Sequence, residues 1–444
     1  MVLFTNRLPI QFQTYLGELM KRSIKLAVAA AVALTSTAAF ATNGDNLIGF
    51  SAKSRAMGGT GIANFNGADA ALTNPALLAK TKTNNSFSFA GTVFNSDVKV
   101  ESTAGNASNP AIGVSKTSDE GISMIPAIAL SHRINDDVVF GLGMYGTAGM
   151  GTDWRGSTGL DNMLGQVDLY NMRSSLMLMQ FAPALAYGND TFGVGVTAIV
   201  QYGALSIDYD TSDATHVGSG TSNDFGLGYD IGAYYNPVKE LTIGLNYKSA
   251  IDMEYKNQIS DAAAAFGYGT NPLALPGKSD HLEQPAEYGI GVAYNMGAMT
   301  YTMDVKEIKW SDAKGYKDFG WDDQTVYALG VKYSADDFWL GAGFNYGENP
   351  IPNNTNATNV TGGFAPNTDG DTMNLFNYAM FPATVESAYT IGGGYSLDKT
   401  MSIDAAFTYT PEVSDTVSAA TVGAGNVTTK HSQNALTVAL NFDF

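Results

Sequence analysis

Asn434-Ala435-Leu436-Thr437-Val438-Ala439-Leu440-Asn441-Phe442-Asp443-Phe444 closes the chain. Every second residue from Leu436 to Phe444 is apolar, and those between are small or polar. Strict period-two alternation makes a strand with one greasy face and one that tolerates water. A half-buried strand of a soluble sandwich can alternate too, but chain ends usually fray. A terminal strand patterned as far as a final Phe suits a closed barrel whose outer face meets lipid.

The same alternation recurs upstream. It predicts strands over 86–100, 121–134, 138–147, 174–188, 191–209, 224–237, 240–256, 284–296, 298–310, 324–334, 337–348, 383–397, 400–411 and 434–444. Over 240–256 both faces are chemically committed. Leu241, Ile243, Leu245, Tyr247, Ile251, Met253 and Tyr255 share one; Thr242, Asn246, Lys248, Asp252, Glu254 and Lys256 share the other. Tight turns near Asn135, Asp190, Val238, Gly297, Asp336 and Asp398 alternate with long loops at 101–120, 148–173, 210–223, 257–283, 311–323, 349–382 and 412–433. Outer-membrane barrels sort their connections this way, and an even strand number puts both termini on the periplasmic side. The expected fold is therefore all-β, a transmembrane antiparallel barrel of about fourteen strands over 86–444.

Residues 1–41 stand apart. Met20-Lys21-Arg22 and Lys25, the apolar run Leu26–Leu34 and the small-x-small site Ala39-Phe40-Ala41 read as a secretory signal peptide cleaved before Thr42. Residues 1–19 read as a start extension. Residues 42–85 do not alternate and read as an N-terminal plug. Asn74 is placed to cap a short helical piece that opens at Pro75. Such pieces are too short to be stable alone and need an enclosing wall.

Composition narrows the function. The chain has 444 residues, 49 Gly, 23 Tyr, 22 Phe, no Cys and a net charge of −18. So acidic a chain is a poor binder of nucleic acid. It holds no disulfide, and no apolar run is long enough for a spanning helix. His132, His216, His281 and His431 lack metal-ligand spacing, and no G-x-S-x-G elbow occurs. Neither a cofactor, a metal nor an enzymatic activity is expected. Trp154, Trp310, Trp321, Trp339, Tyr145 and Tyr346 fit interfacial girdles. Gly141, Gly143 and Gly146 mark either a kink in the third strand or close packing against the plug.

A set of short segments carries a resemblance. Phe50-Ser51-Ala52, Arg55-Ala56, Ala68-Asp69-Ala70, Asn74-Pro75-Ala76-Leu77, Leu245-Asn246-Tyr247-Lys248-Ser249, Trp310-Ser311 and Asn349-Pro350-Ile351-Pro352 occur in the order seen in the long-chain fatty acid transporter family (FadL/TodX type), which the chain resembles over its whole mature length. The resemblance implies a fourteen-stranded barrel plugged by an N-terminal hatch, with Asn74, Pro75 and Ala76 as the hatch motif. It implies capture of hydrophobic molecules by a loop carrying Met150, Trp154, Leu160, Met163 and Leu164, and sideways release at a kink near Gly141, Gly143 and Gly146. It places the chain as a monomer in the outer membrane of a Gram-negative cell, in contact with outer-membrane lipid. One departure matters. Fatty-acid members carry basic residues on the fifth strand and before the tenth, where this chain has Tyr202-Gly203 and Asp322-Asp323. Lys248, Lys306 and Lys332 are alternative pocket cations, and an uncharged hydrocarbon ligand stays open because a buried carboxylate needs a partner. The competing readings are a general diffusion porin, a lipid hydrolase, and an adhesin or phage receptor on a barrel scaffold.

The register ends the last strand on its lipid-facing side. Deletion of Phe444 is therefore expected to impair membrane assembly, read as loss of the fast-migrating folded gel band before boiling. Normal assembly would show that register to be wrong.

Overall fold

The computed structural model describes residues 42–102, 114–155, 171–210, 215–265, 277–354, 368–420 and 425–444. The leader expected at 1–41 and the loop residues Leu160, Met163 and Leu164 lie outside them. Fourteen long strands make up the wall: β1 (Asn85–Ser102), β2 (Ile122–Arg133), β3 (Val138–Asp153), β4 (Arg173–Gly188), β5 (Phe192–Asp210), β6 (Ser222–Val238) and β7 (Leu241–Lys248). They continue as β8 (Glu287–Met296), β9 (Met299–Ile308), β10 (Gln324–Ser334), β11 (Phe338–Gly347), β12 (Ser387–Ser396), β13 (Met401–Ala419) and β14 (Gly425–Asp443). Each pairs antiparallel with its neighbours, and β14 closes onto β1 with Val438 opposite Gly91. Closure leaves no free sheet edge in hydrocarbon, where an unpaired backbone group has no water to turn to.

The last strand behaves as its pattern requires. Leu436, Val438 and Leu440 face outward while Ala435, Thr437 and Ala439 are buried. The final residue is tied in, with Asn85 N donating to Phe444 O at 2.7 Å and Phe444 N to Asn85 O at 2.9 Å. Six tight turns lie at one end of the barrel, the turn end, and the long connections at the other, the loop end.

Three expectations need correction. The strand predicted over 240–256 leaves the wall after Lys248, and Ile251, Met253 and Tyr255 are buried inside the barrel. Alternation persists there because the segment stays extended with one covered face, and periodicity cannot tell lipid from lumen. The loop expected over 412–433 is mostly strand, since β13 runs to Ala419 and β14 starts at Gly425. Its covering is a helix, with Thr429 Oγ1 donating to Tyr378 O at 2.7 Å. The girdle assignment fails for Trp154, Trp310, Trp321, Trp339 and Tyr145, all buried inside. Each indole N–H finds an interior acceptor, such as Ala379 O at 2.6 Å from Trp154 Nε1 and Asp404 Oδ1 at 2.7 Å from Trp339 Nε1. Tyr346 is half-buried. Lipid-facing aromatic pairs stand elsewhere, at Tyr229–Tyr247 (5.9 Å between centroids), Tyr247–Tyr288 (5.0 Å) and, nearer the turns, Tyr333–Phe338 (6.1 Å).

Residues 42–81 pack against the inward face of the wall. They include the short helices α1 (Ala52–Ala56) and α2 (Ala70–Thr73) and a 3-10 segment, Pro75–Lys80. Among the described residues two further helices, α3 (Ile259–Ala265) and α4 (Thr368–Met380), lie within long connections, where strand alternation gives no sign of them. The inner segment touches the wall backbone to backbone. A Cβ at Gly343 would lie 2.1 Å from Gly58 N, and one at Gly244 would lie 2.0 Å from Ile62 O. Only glycine permits that approach.

Gly343→Ala is accordingly expected to lower the melting temperature by several degrees, since overpacking costs about 1–3 kcal/mol. Gly91→Ala, where a Cβ meets nothing within 4 Å, is the reference and should melt like the parent. Equal melting of the two variants would show the inner segment free to shift.

Candidate functional site: a bulged strand, an inner arm and two cavities

The third strand is interrupted where glycines cluster. Its ladder with β2 runs from Arg133–Val139 to Ala127–Tyr145 and stops, although β2 continues to Ile122 against β1. On the β4 side the register slips between Gly146 and Ala148, so Thr147 is the extra residue of a bulge. From Gly146 onward β4 is the one wall strand that pairs with β3. The three glycines divide their tasks: a Cβ at Gly141 would strike Leu78 of the inner segment, one at Gly143 the ring of Tyr145, and one at Gly146 the side chain of Ile125.

The unpaired stretch is covered from inside. Thr42–Asn43 folds back on Asn46–Leu47 as a small arm. Asn46 pairs with Ala148, and Gly149 N donates to Asp45 O at 3.2 Å. Gly44, at φ +65°, lies flat on the Trp310 ring, where a Cβ would come within 2.3 Å. The Asp45 carboxylate accepts from Gln284 Nε2 at 2.8 Å and from Tyr316 Oη in the loop-end connection after β9. One short arm therefore holds both the bulge and a loop of the mouth.

Two cavities lie near the arm: its own residues line the deeper one, and the other is lined by Tyr316, the partner of Asp45. The one nearer the loop end is apolar, about 20 Å³, lined by Met150, Leu205, Ile207, Ile259, Leu282, Phe319, Trp321 and Phe381. Trp310, Tyr316 and Trp321 pack as a triad with centroids 4.7–5.1 Å apart, and Phe319 stacks on Phe376 of α4 at 4.7 Å. Met150 and Trp154, expected on a loop, sit on β3 and just after it with buried side chains. The deeper cavity is about 60 Å³ and touches Leu47, Phe50, Thr147, Gln180, Lys248, Glu287, Asp304 and Lys306. Ligand pockets are usually several hundred Å³. A substrate therefore has to displace something, and the arm stands beside both the deeper cavity, which Asn43, Asn46 and Leu47 line, and the bulge, where Asn46 pairs with Ala148.

Of the three lysines singled out, two meet. Lys248 Nζ lies 3.7 Å and Lys306 Nζ 3.2 Å from the two carboxylate oxygens of Glu287. Lys332 lies apart, near the turn end with Lys53, Trp339 and Asp404. Glu287 was missed because a lone acid on a strand reads as solvated; its register opposite Lys248 was the available signal. Asn74 Oδ1 accepts from Ala76 N at 3.1 Å, as a cap should. Its amide donates to Ile62 O at 2.6 Å and to Ala233 O of β6 at 3.1 Å, while Pro75 opens the 3-10 segment and Ala76 is fully buried. Ser96 Oγ stands 2.9 Å from His431 Nε2, a Ser–His contact that spacing could not show; Gln433 Nε2 shares that nitrogen at 3.0 Å and both residues are buried.

Asp45 makes the arm sensitive to pH. Burial raises its pKa from 3.8 to about 6, against the opposing hydrogen bonds from Tyr316 and Gln284 and with help from the nearby Glu287 charge. A raised acid favours the docked arm while protonated. That contribution, about 3 kcal/mol from the size of the shift, is complete below its ordinary pKa and is lost as pH rises through about 6. Amide exchange at residues 43–47, corrected for its intrinsic pH dependence, is expected to quicken from pH about 5 to pH about 7. Asp45→Asn should abolish that change; an unaltered pH dependence in the variant would assign it to another group.

Solved structures share the architecture. The toluene transporter TodX of P. putida superposes with a TM-score of 0.65 at 17% identity, covering 90% of this chain and 99% of that one. A Pseudomonas aeruginosa FadL homologue gives 0.66 at 17%, covering 90% and 100%. At that identity the likeness is one of fold. A 47 kDa outer membrane protein of Pasteurella multocida (strain Pm70) is 27% identical over 197 residues, 42% of this chain and 43% of that protein. The chain spans less than half the length of the curated relatives it matches. The outer membrane protein transport protein family (OMPP1/FadL/TodX) matches residues 27–444, and the chain belongs to that family.

Proposed function

We propose that the chain carries hydrophobic small molecules inward across the outer membrane and releases them sideways between β2 and β3. Entry is at the loop end, through the apolar cavity around Met150, Leu282 and Phe319. The molecule then passes the arm to the deeper cavity beside Leu47 and Phe50. It leaves where β3 has lost its β2 partner. The turn end, where the last strand finishes at Phe444, faces the periplasm. Residues 42–85 act as a hatch latched to the wall through Asn74-Pro75-Ala76, with Thr42 held inside the barrel beside the bulge.

The observation that carries this reading is the end of the β2–β3 ladder at Ala127–Tyr145, beside a bulge at Thr147 that also lines the deeper cavity. A wall of this kind has no structural need for a break. The inner segment meanwhile fills the axial route, with Gly58 and Ile62 pressed on wall glycines. That arrangement favours a lateral path over open diffusion. The family description and the toluene transporter among the similar folds agree with a hydrophobic cargo.

The window can be stapled. An ideal Cβ on Gly146 would lie 3.9 Å from Ile125 Cβ, within the range that a disulfide spans. The chain has no cysteine to interfere. Ile125→Cys with Gly146→Cys is expected to lose on the order of nine-tenths of uptake when oxidised and to recover it on reduction, as a blocked exit would. Undiminished uptake through the oxidised protein would place the exit elsewhere.

A further inference from the structure

We propose that Glu287 acts as a resident carboxylate that occupies both cavity lysines, so that the passage rejects anionic amphiphiles and admits neutral ones. This rests on the deeper cavity being the route of the cargo.

The register sets up the arrangement. On the inward face, Asp230 of β6 stands opposite Lys248 of β7, and Lys248 stands opposite Glu287 of β8. Lys306 of β9 approaches Glu287 diagonally from beside Gly289. Glu287 Oε1 is 3.7 Å from Lys248 Nζ and Oε2 is 3.2 Å from Lys306 Nζ, so each oxygen has its own amine. Glu287 and Lys248 are each 8% exposed, and both border the cavity. Lys248 and Lys306 are the cations among its described lining residues.

Further carboxylates stand close by. Asp304, two residues from Lys306 on the same face, borders the cavity as well; its Oδ2 accepts from Gly61 N at 2.7 Å and Ile62 N at 2.9 Å. Asp230 takes Asn246 Nδ2 on one oxygen. A fatty-acid carboxylate entering here would have to evict Glu287 from its two amines and add a third carboxylate to a small cavity that already holds Glu287 and Asp304. Like charges so placed disfavour each other's ionised form, and a buried anion without a partner is costly. A neutral molecule of the same length disturbs none of these pairs. Lys248 also lies over the Phe50 ring at 5.6 Å, so its charge is already engaged on the cavity side.

The test compares decanoate with methyl decanoate on the purified full chain near neutral pH. The parent is expected to bind the ester on the order of tenfold more tightly, and Glu287→Gln to narrow that ratio on the order of tenfold by gaining affinity for the carboxylate. Adding Lys306→Met to Glu287→Gln should remove the gain, which a merely structural ion pair would not produce. The parent measurement needs no variant, so the proposal stays exposed even if Glu287→Gln fails to assemble. Equal binding of acid and ester by the parent, or an unchanged ratio in Glu287→Gln, would overturn the role of Glu287 while leaving the passage intact. Binding of neither would overturn the passage reading and this proposal with it.

Discussion

Hydrocarbon offers backbone amides nothing to bond to, so a membrane wall of strands has to be a complete ladder. The rest of this structure follows from how that demand is met where the ladder is broken. Above Ala127–Tyr145, β3 lacks β2, and the arm supplies Asn46 and Asp45 from inside the barrel. A strand can be left open sideways only because a second piece of chain satisfies part of it. The piece that does so is tied to Gln284 and Tyr316, and lines the deeper cavity. Arm and bulge are thus one local arrangement, and what moves the arm also alters the bulge.

The rest of the inner segment is held differently. Where Gly58 and Ile62 meet Gly343 and Gly244, backbone lies on backbone with no side chain to yield. Asn74 adds hydrogen bonds to three carbonyls, that of Ile62 in the inner segment, Ala233 of β6 and Leu245 of β7. Fixed contacts of that kind suit a permanent filling, whereas the arm is short and its carboxylate is uncomfortable when charged. The element that the proposed route displaces and the one it leaves in place lie within the same forty-odd residues, and glycine placement separates them.

The wall was legible from residues because each strand had to bury one face against lumen and show the other to lipid. Leu436 to Phe444 carried that signal to the last residue, and all fourteen predicted strands have a counterpart. The signal failed where lumen took the place of lipid, as at Ile251, Met253 and Tyr255, and where neither face met lipid, as in the upper parts of β13 and β14. The tryptophans misled for a related reason: an indole N–H with a partner inside, such as Trp154 with Ala379 O, has no need of an interface. Within the site, the glycines of β3 and the Asn74-Pro75 cap were readable from local chemistry. Glu287 and Asp45 were not. Their meaning comes from which side chains the closed register and the folded-back arm bring to them.

The central claim is that cargo leaves through the side of the barrel. A structure of the protein with methyl decanoate bound tests it most directly. The account requires ligand density to run from beside Phe50 to the gap between Ile125 and Gly146, with residues 42–47 displaced and Gly58 still seated on Gly343. Density continuing past Asn74 toward the turn end, with the β2–β3 gap empty and the arm undisturbed, would contradict it.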